Sequence, residues 1–264
     1  MDTKDITKRR LTRREVLGLM AAAGAAVVAG CGDDEKTPAP ATGTPGAAPT
    51  YAPVATAGPT ATPEPSALAC VVSPEMTEGP YFVDEMLNRS DIREDPSDGS
   101  VVEGTALALT LNIYQVNGDA CTPLTGALVD IWHCDASGLY SDVQQNNTVG
   151  QKFLRGYQLT DENGAVQFTT IYPGWYMGRA VHIHMKVRTD PDADQGLEFT
   201  SQLFFDEDLT DQVHTQGPYA SHGTRDTRNE NDNIYSGGGS QMLLALSPEG
   251  DGYAGTMNIG MQVA

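Results

Sequence analysis

The sequence predicts an all-β protein, an antiparallel β-sandwich, and three observations predict it. Short segments alternate apolar and polar residues, clusters of Gly, Asn and Asp separate them, and no long amphipathic helix competes. The 264 residues include 28 glycines and 16 prolines, a turn-rich composition that suits strands better than a helical bundle. A hydrophobic share of 39% is enough to build a core, and the length fits one domain with extensions.

The elements follow in chain order. Residues 1–31 predict an export signal. A basic start leads into an apolar run from Leu17 to Gly30, fourteen residues, against roughly 20 for a membrane-spanning helix. Arg13-Arg14 resemble a twin-arginine signal, and Val28-Ala29-Gly30-Cys31 resemble a bacterial lipobox. The protein is therefore expected in the cell envelope as a lipoprotein, or outside the cell, touching a membrane only through a lipid on Cys31. Residues 32–69 hold half of the prolines amid Ala, Thr and Gly, which predicts a disordered stalk. The folded domain is expected over 70–264. Its cysteines, Cys70, Cys121 and Cys134, allow one disulfide and one leftover thiol, with the pairing open.

Strand-like segments lie at 105–116, 126–134, 165–171 and 180–188, with further apolar stretches at 199–205, 241–246 and 253–263. The turn clusters NGD at 117–119, DENG at 161–164 and DPDAD at 190–194 separate several of them. Charge narrows the partners. The whole chain carries −19, and without its first thirty residues 10 basic and 32 acidic side chains remain. Such a surface repels phosphate backbones, which excludes nucleic acid as a partner.

The chemistry concentrates in residues 172–184. His182 and His184 are two apart, so in a strand both imidazoles project from one face, a common start for a metal site. Tyr176 follows the Pro173-Gly174 turn, and Tyr140 closes the stretch WHCDASGLY. No carboxylate or third histidine stands beside the pair. His133 is expected to face away from Trp132, and His214 and His222 are expected in loops. Two histidines with two tyrosines suit zinc or magnesium poorly. Phenolate is a hard, strongly donating ligand that favours ferric iron.

With these motifs in hand, the sequence resembles the intradiol ring-cleavage dioxygenases over most of residues 70–264. TEGPYF at 77–82, GALVDIWHCDASGLYSD at 126–142, the run from 153 to 184, and TSQLFFDED at 200–208 stand in that family's order. The resemblance implies a β-sandwich whose long loops carry the active site. It implies non-haem Fe(III) held by Tyr140, Tyr176, His182 and His184. It further implies catalytic roles for Arg179, Gln202 and Tyr176, the last as the ligand that departs. Thr77, Gly79, Pro80, Tyr81 and Trp132 are implied substrate contacts. The implied reaction cleaves a catechol-type aromatic between its hydroxylated carbons with O2, giving a cis,cis-muconate-type diacid. Two departures stand out: the Tyr176–Arg179 segment is short, and no helical N-terminal domain precedes the sandwich. The rival expectation is a non-catalytic cell-surface β-sandwich binding module. A cupin-like iron(II) oxygenase would need a carboxylate beside the histidines, where this chain has His-Ile-His.

Overall fold

A computed structural model describes residues 71–189 and 196–262. The predicted export signal 1–31 with Cys31, the stalk 32–69 and Cys70 lie outside the described residues. The chain divides into two units after Ala61, and every described residue belongs to the second.

Nine strands and one helix are described: β1 (Ala106–Asn117), β2 (Ala120–Pro123), β3 (Leu128–Trp132), β4 (Arg155–Leu159), β5 (Ala165–Ile171), β6 (His182–Arg188), β7 (Glu198–Phe204), α1 (Glu207–His214), β8 (Leu246–Glu249) and β9 (Gly252–Gln262). They form two sheets. One has the order β4-β3-β6-β7 and is antiparallel throughout. The other runs β2-β1-β9-β8, with β5 also on β1. Strand β1 is long enough to serve β5 through Ala106–Asn112 and β2 through Tyr114–Asn117 on the same edge. Its other edge pairs with β9 in parallel, the one parallel strand pair among the described residues.

The alternation in the sequence decides which side chains meet. Leu107, Leu109, Leu111 and Ile113 of β1 point inward, and Val129, Ile131, Ile183, Met185 and Leu203 of the second sheet face them. Each such side chain contributes about 1.5–3 kcal/mol on burial. The opposite face of β6 carries His182, His184 and Lys186, and these are buried too. Residues 71–105 cover that face: Met76 N donates to Thr200 O (2.8 Å) and Tyr157 N to Leu87 O (2.8 Å).

Several expectations need correction. The stretch 241–246 is not one strand: Gly239–Met242 form a 3-10 turn, and β8 begins only at Leu246. His214 is not a loop residue. It ends α1, lies buried, and stacks on Tyr219 at 5.2 Å. Asp206 caps that helix by accepting from Leu209 N (2.9 Å), with Glu207 and Asp208 in its first turn. His222 ends a short 3-10 turn. Cys121 is disulfide-bonded and Cys134 is a buried free thiol, so Cys134 is the leftover. Among the described residues, no helix is long and apolar enough to cross a membrane.

His133 faces away from the Trp132 side, between the sheets. Its Nδ1 meets Cys134 O (2.8 Å) and its Nε2 meets Thr170 Oγ1 (2.7 Å). Burial lowers its pKa to about 4. The unfolded chain thus binds a proton that the folded one refuses between about pH 4 and the unfolded value of about 6.5. Stability contributed by neutral His133 is present above that window and is lost as pH falls through it. Thermal melts from pH 7 to pH 4 are expected to show a falling midpoint. A midpoint that holds level across the window would contradict this account.

Candidate functional site

One row of side chains crosses the β4-β3-β6-β7 sheet on its covered outer face. Arg155 opposes Trp132, Trp132 opposes His184, and His184 opposes Gln202. Opposed residues of antiparallel strands share a face, so this register places a histidine in the middle of the sheet. His182, two residues earlier on β6, joins it on that face. Trp132 is fully buried and lies flat on His184, with centroids 4.9 Å apart and planes 4° from parallel. The substrate contact that the resemblance implied for Trp132 needs correction: the ring is sealed behind that of His184.

Four donor side chains converge here. His182 Nε2 is 3.0 Å from His184 Nε2 and 3.3 Å from Tyr176 Oη. The His182 Nδ1 proton goes to Ala180 O (2.6 Å), which leaves the Nε2 lone pair facing the cluster. Tyr140 sits with its ring centroid 5.6 Å from that of Tyr176, and its buried hydroxyl has no hydrogen-bond partner. Two loops deliver the tyrosines. They are locked together where Gly174 N donates to Asp135 O (3.1 Å), and a Cβ on Gly174 would stand 2.4 Å from that same oxygen. Among the described residues no three His, Cys, Asp or Glu side chains gather as a metal cage. The side chains here that could hold a metal are Tyr140, Tyr176, His182 and His184.

Burial sets the protonation of the group. It pushes the Tyr140 phenol well above its usual range, with Tyr176 adding to the effect. The Tyr176 phenol is pushed up to about 12 by burial, against the opposing charge of Arg179. Burial and then Arg179 lower His182 to about 3, and burial and then His182 lower His184 well below the usual value. Neutral imidazoles are the form that ligates metal.

Arg179 binds the cluster to its surroundings. Its Nη1 lies 3.4 Å from His182 Nε2, its Nη2 donates to Gln202 Oε1 (2.5 Å), and its Nε donates to Asp232 Oδ2 (2.8 Å). Gln202 Nε2 in turn donates to Thr77 O (2.9 Å). Asp232 was not singled out in the sequence. It lies in a polar Asn-Asp-Asn stretch with the look of a loop, yet it is buried. Its carboxylate also accepts from the backbone of Ala180 (2.8 Å), Ile234 (2.6 Å) and Tyr235 (3.1 Å).

The segment 77–81 closes the site from the other side. Thr77 is exposed and accepts from Gly79 N through Oγ1 (3.2 Å). Gly79 has φ +72°, and a Cβ there would press on His184 Cε1 at 3.2 Å, so a side chain at this position is unfavourable twice over. Pro80 is exposed. Tyr81 lies 4.7 Å from the Tyr140 ring and 6.0 Å from that of Tyr176. The structure thus brings together all four predicted ligands with Arg179, Gln202, Gly79 and Tyr81, while Thr77 joins through its backbone.

Comparison with known proteins points to one family. The family model described as Dioxygenase matches residues 77–180. Chlorocatechol 1,2-dioxygenase of Pseudomonas putida is 29% identical over 154 residues, 49% of this chain and 52% of that protein. The chain spans about half the length of the curated relatives it matches. Among solved structures, an intradiol ring-cleavage dioxygenase from Tetranychus urticae is 34% identical, with a TM-score of 0.64. That match covers 73% of this chain and 95% of the other. The dioxygenase domain of a carbohydrate-binding fusion from Streptomyces sp. SirexAA-E matches at 28% identity and a TM-score of 0.53, over 74% of this chain and all of that one. A relative matched over nearly its whole length, in sequence and in fold, carries the conclusion: this chain belongs to the intradiol ring-cleavage dioxygenase superfamily.

Proposed function

We propose that the protein is a non-haem ferric dioxygenase that cleaves a catechol-type aromatic between its two hydroxylated carbons with O2, releasing a cis,cis-muconate-type diacid. The observation that carries this reading is the convergence of Tyr140, Tyr176, His182 and His184 with no carboxylate among them. Two phenolic oxygens beside two imidazoles form a hard, electron-rich donor set that suits Fe(III). The unpartnered Tyr140 hydroxyl fits the same ion. Left alone, such a group costs about 1–3 kcal/mol, and coordination offsets that cost. When bound, ferric iron supplies the Lewis acidity and electron transfer that couple a catecholate to O2.

The chain's own residues divide the remaining work. A catechol binding through both oxygens must lose two protons. Tyr176, half-buried and free to turn away, would accept one of them as its phenolate and hydroxide from solvent would take the other, while Tyr140 is buried on every side and stays. Arg179 offers positive charge beside His182, where negative charge builds on the substrate. Gln202, fixed at both ends of its amide, orients the reacting oxygen. Tyr81 forms an aromatic wall for the substrate ring, with Thr77, Gly79 and Pro80 shaping the backbone beside it. Trp132 acts through His184 by holding its ring flat. We further read residues 1–31 as an export signal with lipid on Cys31, and residues 32–69 as the stalk that holds the 70–264 domain off the membrane.

The test is an absorption spectrum of the purified, iron-loaded protein under argon, before and after catechol. A broad visible band that moves to longer wavelength with catechol, followed by uptake of one O2 per catechol, is expected. A featureless spectrum with no shift would overturn the reading and leave a binding module.

A further inference from the structure

Seven buried side-chain atoms among the described residues have no hydrogen-bond partner, and three of them come from one place. Trp132 Nε1, Arg155 Nη1 and Glu85 Oε1 belong to three residues that line a single small cavity, together with Phe82 and Asp130. Trp132 and Arg155 are buried, and the Glu85 side chain is only 9% exposed. The cavity leaves about 10 Å³ for the centre of a water, which is room for one. Asp130 is already taken, since it accepts from Arg188 Nη2 (2.6 Å). Indole and guanidinium nitrogens only donate, and an ionised carboxylate only accepts. The molecule that satisfies all three atoms therefore accepts twice and donates once. Water does so, whereas an anion would meet the Glu85 carboxylate and a cation the guanidinium.

The cavity adjoins two residues that bear on the ligand cluster. Trp132 lies flat on His184, and Arg155 opposes Trp132 in the register of β4 on β3. The Arg155 Nε donates to Ser141 Oγ (2.9 Å) and its Nη2 to Ser141 O (2.7 Å). Ser141 directly follows Tyr140, so this guanidinium grips the loop that carries one candidate ligand while sharing a cavity with the indole that backs another. The backbone aims it there. Leu154, the residue before it, is buried at φ +53°, a conformation unusual for leucine. Ile92 O accepts from Leu154 N (2.7 Å) and Leu154 O accepts from His133 N (3.3 Å), and such strain persists where the surroundings impose it. Glu85 brings the acceptor from the covering segment, and its other oxygen pairs with partly exposed Lys152.

We propose that Glu85, Trp132 and Arg155 bind one buried water, and that Glu85 and Arg155 act through it as positioning residues for Trp132 and so for the ligand His184. The positioning role rests on the ferric reading above; the water does not. Trp175→Phe leaves Trp132 as the single indole of a chain with two tryptophans. In that metal-free, isotope-labelled chain, the Trp132 Nε1 proton is expected to show a nuclear Overhauser cross-peak to a long-lived water. Absence of the cross-peak would overturn the water site, whatever the iron does. Iron affinity, read by competition with a chelator, tests the positioning role without turnover. Glu85→Leu removes the acceptor and is expected to abolish the cross-peak and weaken iron binding by about tenfold or more. Glu85→Gln keeps a carbonyl acceptor and should stay within about threefold of the parent. Lys152→Met removes the outer partner of Glu85 and should move neither readout. Should Glu85→Leu fail to fold, Arg155→Lys supplies the same test, because it keeps the charge but cannot grip Ser141 and reach the water together. Loss of the cross-peak with iron affinity unchanged would overturn the positioning role, as would equal losses in Glu85→Leu and Lys152→Met. A parent chain that binds no iron would remove the ferric reading and the positioning role, and the cross-peak would still decide the water.

Discussion

Asp232→Ala is expected to destabilise the protein by about 3–5 kcal/mol and to lower kcat/KM by on the order of a hundredfold. The carboxylate takes four donors inside the fold: the Arg179 guanidinium and the amides of Ala180, Ile234 and Tyr235. Burial pushes the Asp232 carboxyl up, but the Ala180 amide, the Arg179 charge and the Tyr235 amide together outweigh it and hold it below the usual carboxylate range. Alanine removes the acceptor and leaves every donor in place. Buried amides without partners each cost about 1–3 kcal/mol. The guanidinium keeps a partial route to water, since the Arg179 side chain is 18% exposed, so its loss falls short of that of a sealed ion. The activity cost has a separate origin. Arg179 reaches both His182 and Gln202, and it does so from the position Asp232 gives it. Asp232→Asn keeps an acceptor of similar shape and loses the charge, so it should retain more stability than activity. Chemical denaturation and steady-state O2 uptake on both variants check this. Stability within about 1 kcal/mol of the parent for the alanine variant would refute the account.

The difference between what was legible and what was not follows contact range. Strands β1, β3, β5, β6, β7 and β9 announce themselves because one face of each meets the core, and period-two alternation records that locally. His182 and His184 share a face for the same local reason. Strand β4 does not announce itself. Its Arg155 and Gly156 are buried, with Arg155 in the Trp132 row and Gly156 against Ile92 and Arg89, contacts made by residues far away in sequence. Strand β2 is four mostly exposed residues, so hydrophobicity cannot mark it. The parallel pairing of β9 with β1 joins residues 146 positions apart and leaves no local trace. Asp232 is the instructive miss. A buried aspartate and a loop aspartate look identical in a polar stretch, and only the arrival of Arg179 and Ala180 distinguishes them. A motif identifies the residues that touch the chemistry, whereas the residue that holds them is chosen by tertiary contact.

Tyr140→Phe is expected to move stability and activity in opposite directions. In the metal-free protein the Tyr140 hydroxyl is buried, unpartnered and protonated, because burial and Tyr176 raise its pKa. Replacing it with hydrogen deletes a desolvated polar group and keeps the ring, including its contacts with Tyr81 at 4.7 Å and Tyr176 at 5.6 Å. The metal-free variant should therefore be as stable as the parent, or more stable by about 1 kcal/mol. Activity should fall steeply. Loss of a group that merely orients a metal ligand costs about 10–100-fold in affinity or activity, so loss of a ligand atom should exceed that. The visible band should weaken or shift with it, since one of two phenolates has gone. The opposition of signs gives the experiment its force. A core tyrosine of an inert sandwich would also tolerate the change, but without loss of iron, colour or turnover. A tyrosine kept for its hydroxyl hydrogen bond would lose stability. Melts of the metal-free protein, iron content and O2 uptake on the one variant separate all three, and unchanged iron content with unchanged turnover would remove Tyr140 from the ligand set.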